Sequence, residues 1–111
     1  NNMLSRDPKV ATEVDNDPLC HKLVTAAWGK SMLGAVDIVF ENAPRFPLPL
    51  LLMHGTEDEL AYPRSSQLFA GLAPKDKLTL KMWDGFKHER HTDPEKAVVF
   101  QVMLEWLDKH L

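Results

Sequence analysis

Two spacings of apolar residues alternate along this chain, one with the period of a helix and one with that of a strand. After Pro18, residues Leu19, Leu23, Ala26, Ala27, Leu33, Val36, Val39 and Phe40 recur with roughly helical spacing. This predicts one long helix ending near Asn42, with Gly29 and Gly34 as soft points. The stretch APRFPLP at 43–49 then stops it with three prolines. Leu50–Met53 is a short continuous apolar run behind Pro49, suited to a strand buried on both faces, as in a parallel sheet. Pro63 opens a helix through about Leu72, with Leu68, Phe69 and Leu72 on one side, and APKDK is a turn. Leu78, Leu80 and Met82 alternate with Thr79, Lys81 and Trp83, a period of two, so this is a second strand. DGFKHERHTDP is a loop. Asp93 and Pro94 read as the N-cap and first position of a last helix, with Val98, Val99, Val102, Met103, Trp106 and Leu107 as its buried stripe. Upstream, Asp7 and Asp17 suit caps and Pro8 and Pro18 suit first helical positions, so a short helix is expected between them.

The order helix, strand, helix, strand, helix predicts an α/β fold with parallel strands and flanking helices. Two strands are too few to bury both faces of a parallel sheet, so the chain is expected to be the end of a larger α/β domain, incomplete on its own. Its 111 residues suffice for one small domain and not two. A hydrophobic fraction of 44% and a charged fraction of 26% are ordinary for a soluble globular protein. The net charge of −3, with no stripe of Lys or Arg, argues against nucleic acid as a partner. One cysteine, Cys20, excludes an intrachain disulfide; a small buried core residue is its expected role, a reactive thiol the other reading. No apolar run approaches the roughly 20 residues that cross a bilayer, and the opening residues lack the apolar core of a signal peptide.

Candidate chemistry gathers after the two strands. In LLLMHGTEDEL, at 50–60, Glu57 and Asp58 follow the first strand; in DGFKHERH, at 84–91, His88 and His91 follow the second. Catalytic groups in open α/β sheets collect beyond the carboxyl ends of strands. An Asp in one loop and a His in the next form the second half of a nucleophile–His–Asp relay, in the chain order Ser, Asp, His of α/β-hydrolases. The same residues also suit bland roles, the acid as a turn or cap residue and the histidines as solvated loop residues. A metal site is a third reading: His88 and His91 stand three apart, but in a loop and outside any H-E-x-x-H pattern. Spacing alone leaves all three open.

The stretches LPLLLMHGTEDEL, PRSSQLFAGL and KLTLKMWDGFKHERHTDPEKAVVFQVMLEWL closely resemble the C-terminal part of the monoacylglycerol lipase and lysophospholipase-like serine hydrolases of the α/β-hydrolase superfamily. That family has a strand ending in H/Q-G-S-x-D, a strand ending in W/Y-x-G, a His-x-x-H-rich loop and a closing helix; the upstream LSRDP and NDPL resemble the segment that follows its cap. The resemblance implies that residues 1–46 are the end of a cap region with connecting helices, and 47–111 the C-terminal strands and helices of the hydrolase core. Carried across, Asp58 matches the triad acid and His88 the triad base. Glu57 is then a turn or solvent residue, and His91 a neighbour of the base. His21, in DPLCH, lies where bacterial members often have a His near the acyl pocket, which makes it a candidate substrate contact. The implied substrate is a lipid ester, a monoacylglycerol or lysophospholipid, with no metal and no organic cofactor. The implied location is cytoplasmic or membrane-associated, with peripheral membrane contact.

One part of the family pattern is absent: the nucleophile motif G-x-S-x-G. GKSMLG at 29–34 has its second Gly one residue late and no strand before it, so Ser31 reads as a helix residue. Ser65 and Ser66 read as capping residues at a helix start. The HG of His54 and Gly55 belongs to the acid strand rather than to an oxyanion hole. The nucleophile elbow is therefore expected on sequence N-terminal to Asn1, and the chain alone is expected to lack acyl-transfer activity. Two classes remain: part of a serine ester hydrolase, partnered by an N-terminal chain of the same enzyme, or an inactive fragment that binds a partner through its uncovered apolar faces.

Overall fold

The computed structural model describes residues 2–111. Among the described residues four α-helices and two strands run in the order α1 (Pro8–Asn16), α2 (Ala26–Asn42), β1 (Leu50–Gly55), α3 (Pro63–Leu72), β2 (Leu78–Trp83) and α4 (Lys96–His110). The strands pair in parallel, in register from Leu50 opposite Leu78 to Gly55 opposite Trp83, with α3 as the crossover between them. α4 packs over the strand ends, where Trp83, Phe86 and Val99 form the core and Met53, Val102 and Met103 close around it. Among the described residues no helix is long and apolar enough to cross a membrane.

The residues explain most of the element ends. Asp7 caps α1 by accepting a hydrogen bond from the Lys9 N–H, and Pro8 supplies a preset φ at the first position. The second Asp-Pro behaves differently. Asp17 turns the chain through a bond from the Leu19 N–H to its carboxylate (2.8 Å) and another from the Cys20 N–H to its carbonyl (3.0 Å), and no helix follows. The expected helix from Pro18 therefore begins only at Ala26, where the Thr25 hydroxyl caps it by accepting from the Trp28 N–H. Cys20 sits in that turn, exposed rather than buried in a core. The last helix also starts later than expected, at Lys96. Asp93 still takes the Glu95 N–H on its carboxylate and the Lys96 N–H on its carbonyl, but that carboxylate also binds Arg6.

β1 and β2 are less enclosed than a doubly covered parallel strand. Leu50–Met53 are half-buried, and Leu80 in β2 faces outward. α2 carries Trp28, Met32, Leu33, Val36, Ile38 and Val39 exposed, and it meets the body near its end, where Phe40 packs edge-on against Phe69 at 6.3 Å. Two strands offer too little surface to cover these groups, which agrees with a portion of a larger fold.

The opening residues fasten the loop after β2. The Glu89 N–H donates to the Leu4 carbonyl (2.7 Å), the buried Ser5 hydroxyl donates to the Thr92 carbonyl (3.2 Å), and the Lys87 ammonium donates to the Asn2 carbonyl. Arg6 grips Asp93 through Nε and Nη2, both at 2.7 Å, reaches Glu95 at 2.6 Å, and stacks on the Phe86 ring at 4.1 Å. Burial raises the pKa of Asp93, but the Arg6 hydrogen bonds and charge and the Glu95 N–H outweigh it and hold the carboxyl below its ordinary value.

At the end of β1 the fold needs a residue without a side chain. A Cβ on Gly55 would overlap the carbonyl oxygens of Phe86 and Lys87. Gly55→Ala is therefore expected to cost about 2 to 3 kcal/mol in a urea unfolding series, the price of forced overpacking against backbone. A cost below about 0.5 kcal/mol would mean that the two loops do not approach this closely.

Candidate active site

Beyond Gly55 and Trp83 the two chain segments stay locked together. The Thr56 N–H donates to the Trp83 carbonyl (2.9 Å) and the Glu57 N–H to the Phe86 carbonyl (2.9 Å). The Gly85 N–H donates to the Thr56 hydroxyl (2.8 Å), which in turn donates to Asp84 Oδ1 (3.3 Å). Gly85 has φ of +75°, a conformation that glycine adopts without strain. Glu57 thus contributes its backbone, and its side chain points to solvent.

This lacing places Asp58 against His88. Asp58 is buried, and its Oδ1 accepts from the Leu60 and Ala61 N–H groups, both at 2.9 Å. His88 Nδ1 lies 2.9 Å from Oδ2 and 3.2 Å from Oδ1. A carboxylate on Nδ1 fixes the proton there and leaves the Nε2 lone pair as the free base. The two side chains differ in exposure, 1% for Asp58 and 41% for His88, so the acid is enclosed while the imidazole reaches the surface. Burial pushes the Asp58 carboxyl up; the Ala61 N–H, His88 and the Leu60 N–H more than offset this, and its pKa lies below the ordinary carboxylate value. Arg90 steadies the same loop by donating to the His88 carbonyl (2.8 Å). Burial lowers the pKa of its guanidinium, a shift that the Asp58 charge partly reverses.

The remaining candidates separate from this pair. His91 lies in a short 3₁₀ turn, Arg90–Thr92, and is exposed. His21 is exposed in the segment between α1 and α2, and no hydrogen bond among the described residues joins it to Asp58 or His88. Ser31 is a residue of α2. Ser65 and Ser66 lie inside α3, whose N-cap is Tyr62 without a side-chain bond, so the capping reading is corrected: Ser66 Oγ instead sits 2.6 Å from Nδ1 of His54. Sequence pattern does not bring His54 to this place, beside Asp58. Its Nε2 lies 2.9 Å from the Ala61 carbonyl and 3.0 Å from Asp58 Oδ2. The available signal is a histidine next to the end of an apolar strand, four residues before the acid. Among the described residues no group of three or more His, Cys, Asp or Glu is arranged to hold a metal ion.

A buried acid paired through Nδ1 of a loop histidine, past the carboxyl ends of adjacent parallel strands, is an arrangement found in α/β-hydrolases. Comparison with known proteins agrees. The hydrolase family described as serine aminopeptidase, S33, matches residues 1–95, and the chain belongs to that family. It is 35% identical over 92 residues to rat monoglyceride lipase, covering 82% of this chain and 30% of that protein. It is 28% identical over 109 residues to the monoacylglycerol lipase of Mycolicibacterium smegmatis, covering 97% of this chain and 39% of that protein. The crystal structure of Paleococcus ferrophilus monoacylglycerol lipase superposes with a TM-score of 0.93 at 28% identity, over 98% of this chain and 43% of that one. The chain is thus similar to monoacylglycerol lipases and spans well under half the length of these relatives. Its fold is a portion of the α/β-hydrolase fold.

The Asp58 pairing has a consequence in acid. A carboxyl with a depressed folded pKa adds stability above its unfolded value, near 4, and this is lost as pH falls through the lower folded value. The urea midpoint of the wild type is expected to drop below about pH 4, and Asp58→Asn to remove part of that slope. An unchanged acid slope in the variant would contradict the pairing.

Proposed function

We propose that the whole protein is a carboxylic ester hydrolase acting on a monoacylglycerol or lysophospholipid, in which this chain supplies acid and base and another segment supplies the serine. The observation that carries the reading is the 2.9 Å bond between Asp58 Oδ2 and Nδ1 of His88, at the ends of paired parallel strands. The substrate class rests on similarity to monoacylglycerol lipases.

In this reading His88 Nε2 takes the proton of the attacking serine and later gives it to the leaving alcohol. Asp58 keeps the tautomer and stabilises the imidazolium that forms between these steps. Its buried charge is well placed to do so, because its remaining hydrogen bonds come from rigid backbone amides. The 111 residues alone hold no G-x-S-x-G and are expected to be inactive. The exposed apolar residues of α2 are then a surface that the rest of the hydrolase covers.

The test is hydrolysis of a nitrophenyl ester by the whole protein. His88→Ala is expected to lower kcat by about a millionfold and Asp58→Asn by about ten thousandfold, with the fold retained. Full activity in His88→Ala would remove His88 as the base. The bare 111-residue chain is expected to give no turnover above background.

A further inference from the structure

His54 is a buried titratable side chain that the relay does not use, yet it faces the relay acid. Its ring is enclosed at the end of β1, with 10% of the side chain exposed. Each of its nitrogens has a defined environment. Nε2 hydrogen-bonds the Ala61 carbonyl at 2.9 Å and lies 3.0 Å from Asp58 Oδ2. A carbonyl acceptor at Nε2, which can donate nothing itself, requires the proton to reside on that nitrogen. Nδ1 then carries the lone pair of the neutral ring and accepts from the Ser66 hydroxyl at 2.6 Å, which α3 holds in place.

Asp58 is consequently surrounded. Oδ1 takes the Leu60 and Ala61 amides, and Oδ2 lies between the proton-bearing nitrogens of His88 and His54. Ala61 is held twice, its N–H on Asp58 and its carbonyl on His54, so His54 also anchors the turn whose amides hold the acid.

We propose that His54, oriented by Ser66, is a positioning residue for catalysis: its Nε2–H fixes the turn whose amides hold Asp58, and through that turn the ring of His88. It touches no substrate and moves no proton. The proposal rests on the relay reading above. It assigns to His54 an effect on turnover with substrate binding left alone, because the acid acts on the His88 ring and its developing charge and not on the substrate. A glutamine places an amide N–H near the same point as Nε2 and should substitute for it; a leucine cannot.

The experiment measures kcat and KM of the whole protein on a nitrophenyl ester, with folding checked by circular dichroism. His54→Leu is expected to lower kcat roughly tenfold, the size of one lost hydrogen bond, with KM within about twofold of wild type. His54→Gln is expected to recover kcat to within about threefold. Ser66→Ala, a milder change in α3, is expected to lower kcat roughly threefold and decides the matter should His54→Leu fail to fold. An unchanged kcat in His54→Leu or Ser66→Ala, or a His54→Gln variant as impaired as the leucine one, overturns the proposal. His88→Ala is assayed alongside: if it stays active the relay reading itself fails, whereas a dead His88→Ala with an undiminished His54→Leu removes only the role of His54.

Discussion

The close crossing of two backbones beyond the paired strands is the constraint on which the rest depends. Gly55 leaves room for the Phe86 and Lys87 carbonyls to come against β1, and the Glu57 N–H to Phe86 bond then ties the loops at a fixed offset. From there geometry carries Asp58 one residue further on one side and His88 two residues further on the other, to within 2.9 Å. The pairing of acid and base is thus a consequence of backbone hydrogen bonding between the strand extensions. It does not rely on long side chains finding each other across a cleft, and little conformational entropy is lost in holding it.

Two enclosed carboxylates organise the electrostatics, and they are handled differently. Asp93 is answered by a full charge, the Arg6 guanidinium, in a two-pronged contact that fastens the opening residues to the loop after β2. Asp58 is answered by hydrogen bonds from two backbone amides and His88, and the Arg90 guanidinium reaches it only through its charge. Leaving Asp58 without a bidentate cation keeps its Oδ2 available to the His88 ring. A permanent cation suits Asp93, whose work is to hold a loop still.

The architecture was legible where periodicity and punctuation agreed. Pro63 and the Leu68–Leu72 stripe marked α3, the alternation at 78–83 marked β2, and Pro49 with the run behind it marked β1. Asp17–Pro18 misled because the same dipeptide that opens α1 also makes a tight turn; what decided was the Thr25 hydroxyl further on, a better-placed cap for α2. Asp93 looked like a simple cap because its partner, Arg6, lies 87 residues away, beyond the reach of local pattern. For the candidate site, the pairing of Asp58 with His88 follows from strand ends and chain order, to which the family resemblance adds their proposed roles. The place of His54 does not, because a histidine inside an apolar run carries no local mark of which neighbours its two nitrogens will meet. Ser66 reads as a cap for the same reason: its partner sits on a different element.

The most direct measurement on the central pairing is the imidazole proton spectrum of the protein, with nitrogen-15 assignment of the His88 ring. The paired geometry predicts a low-field, exchange-protected proton on His88 Nδ1, an unprotonated Nε2, and loss of that signal in Asp58→Asn. A His88 ring protonated on Nε2, or an Nδ1 proton indifferent to Asp58→Asn, would contradict it.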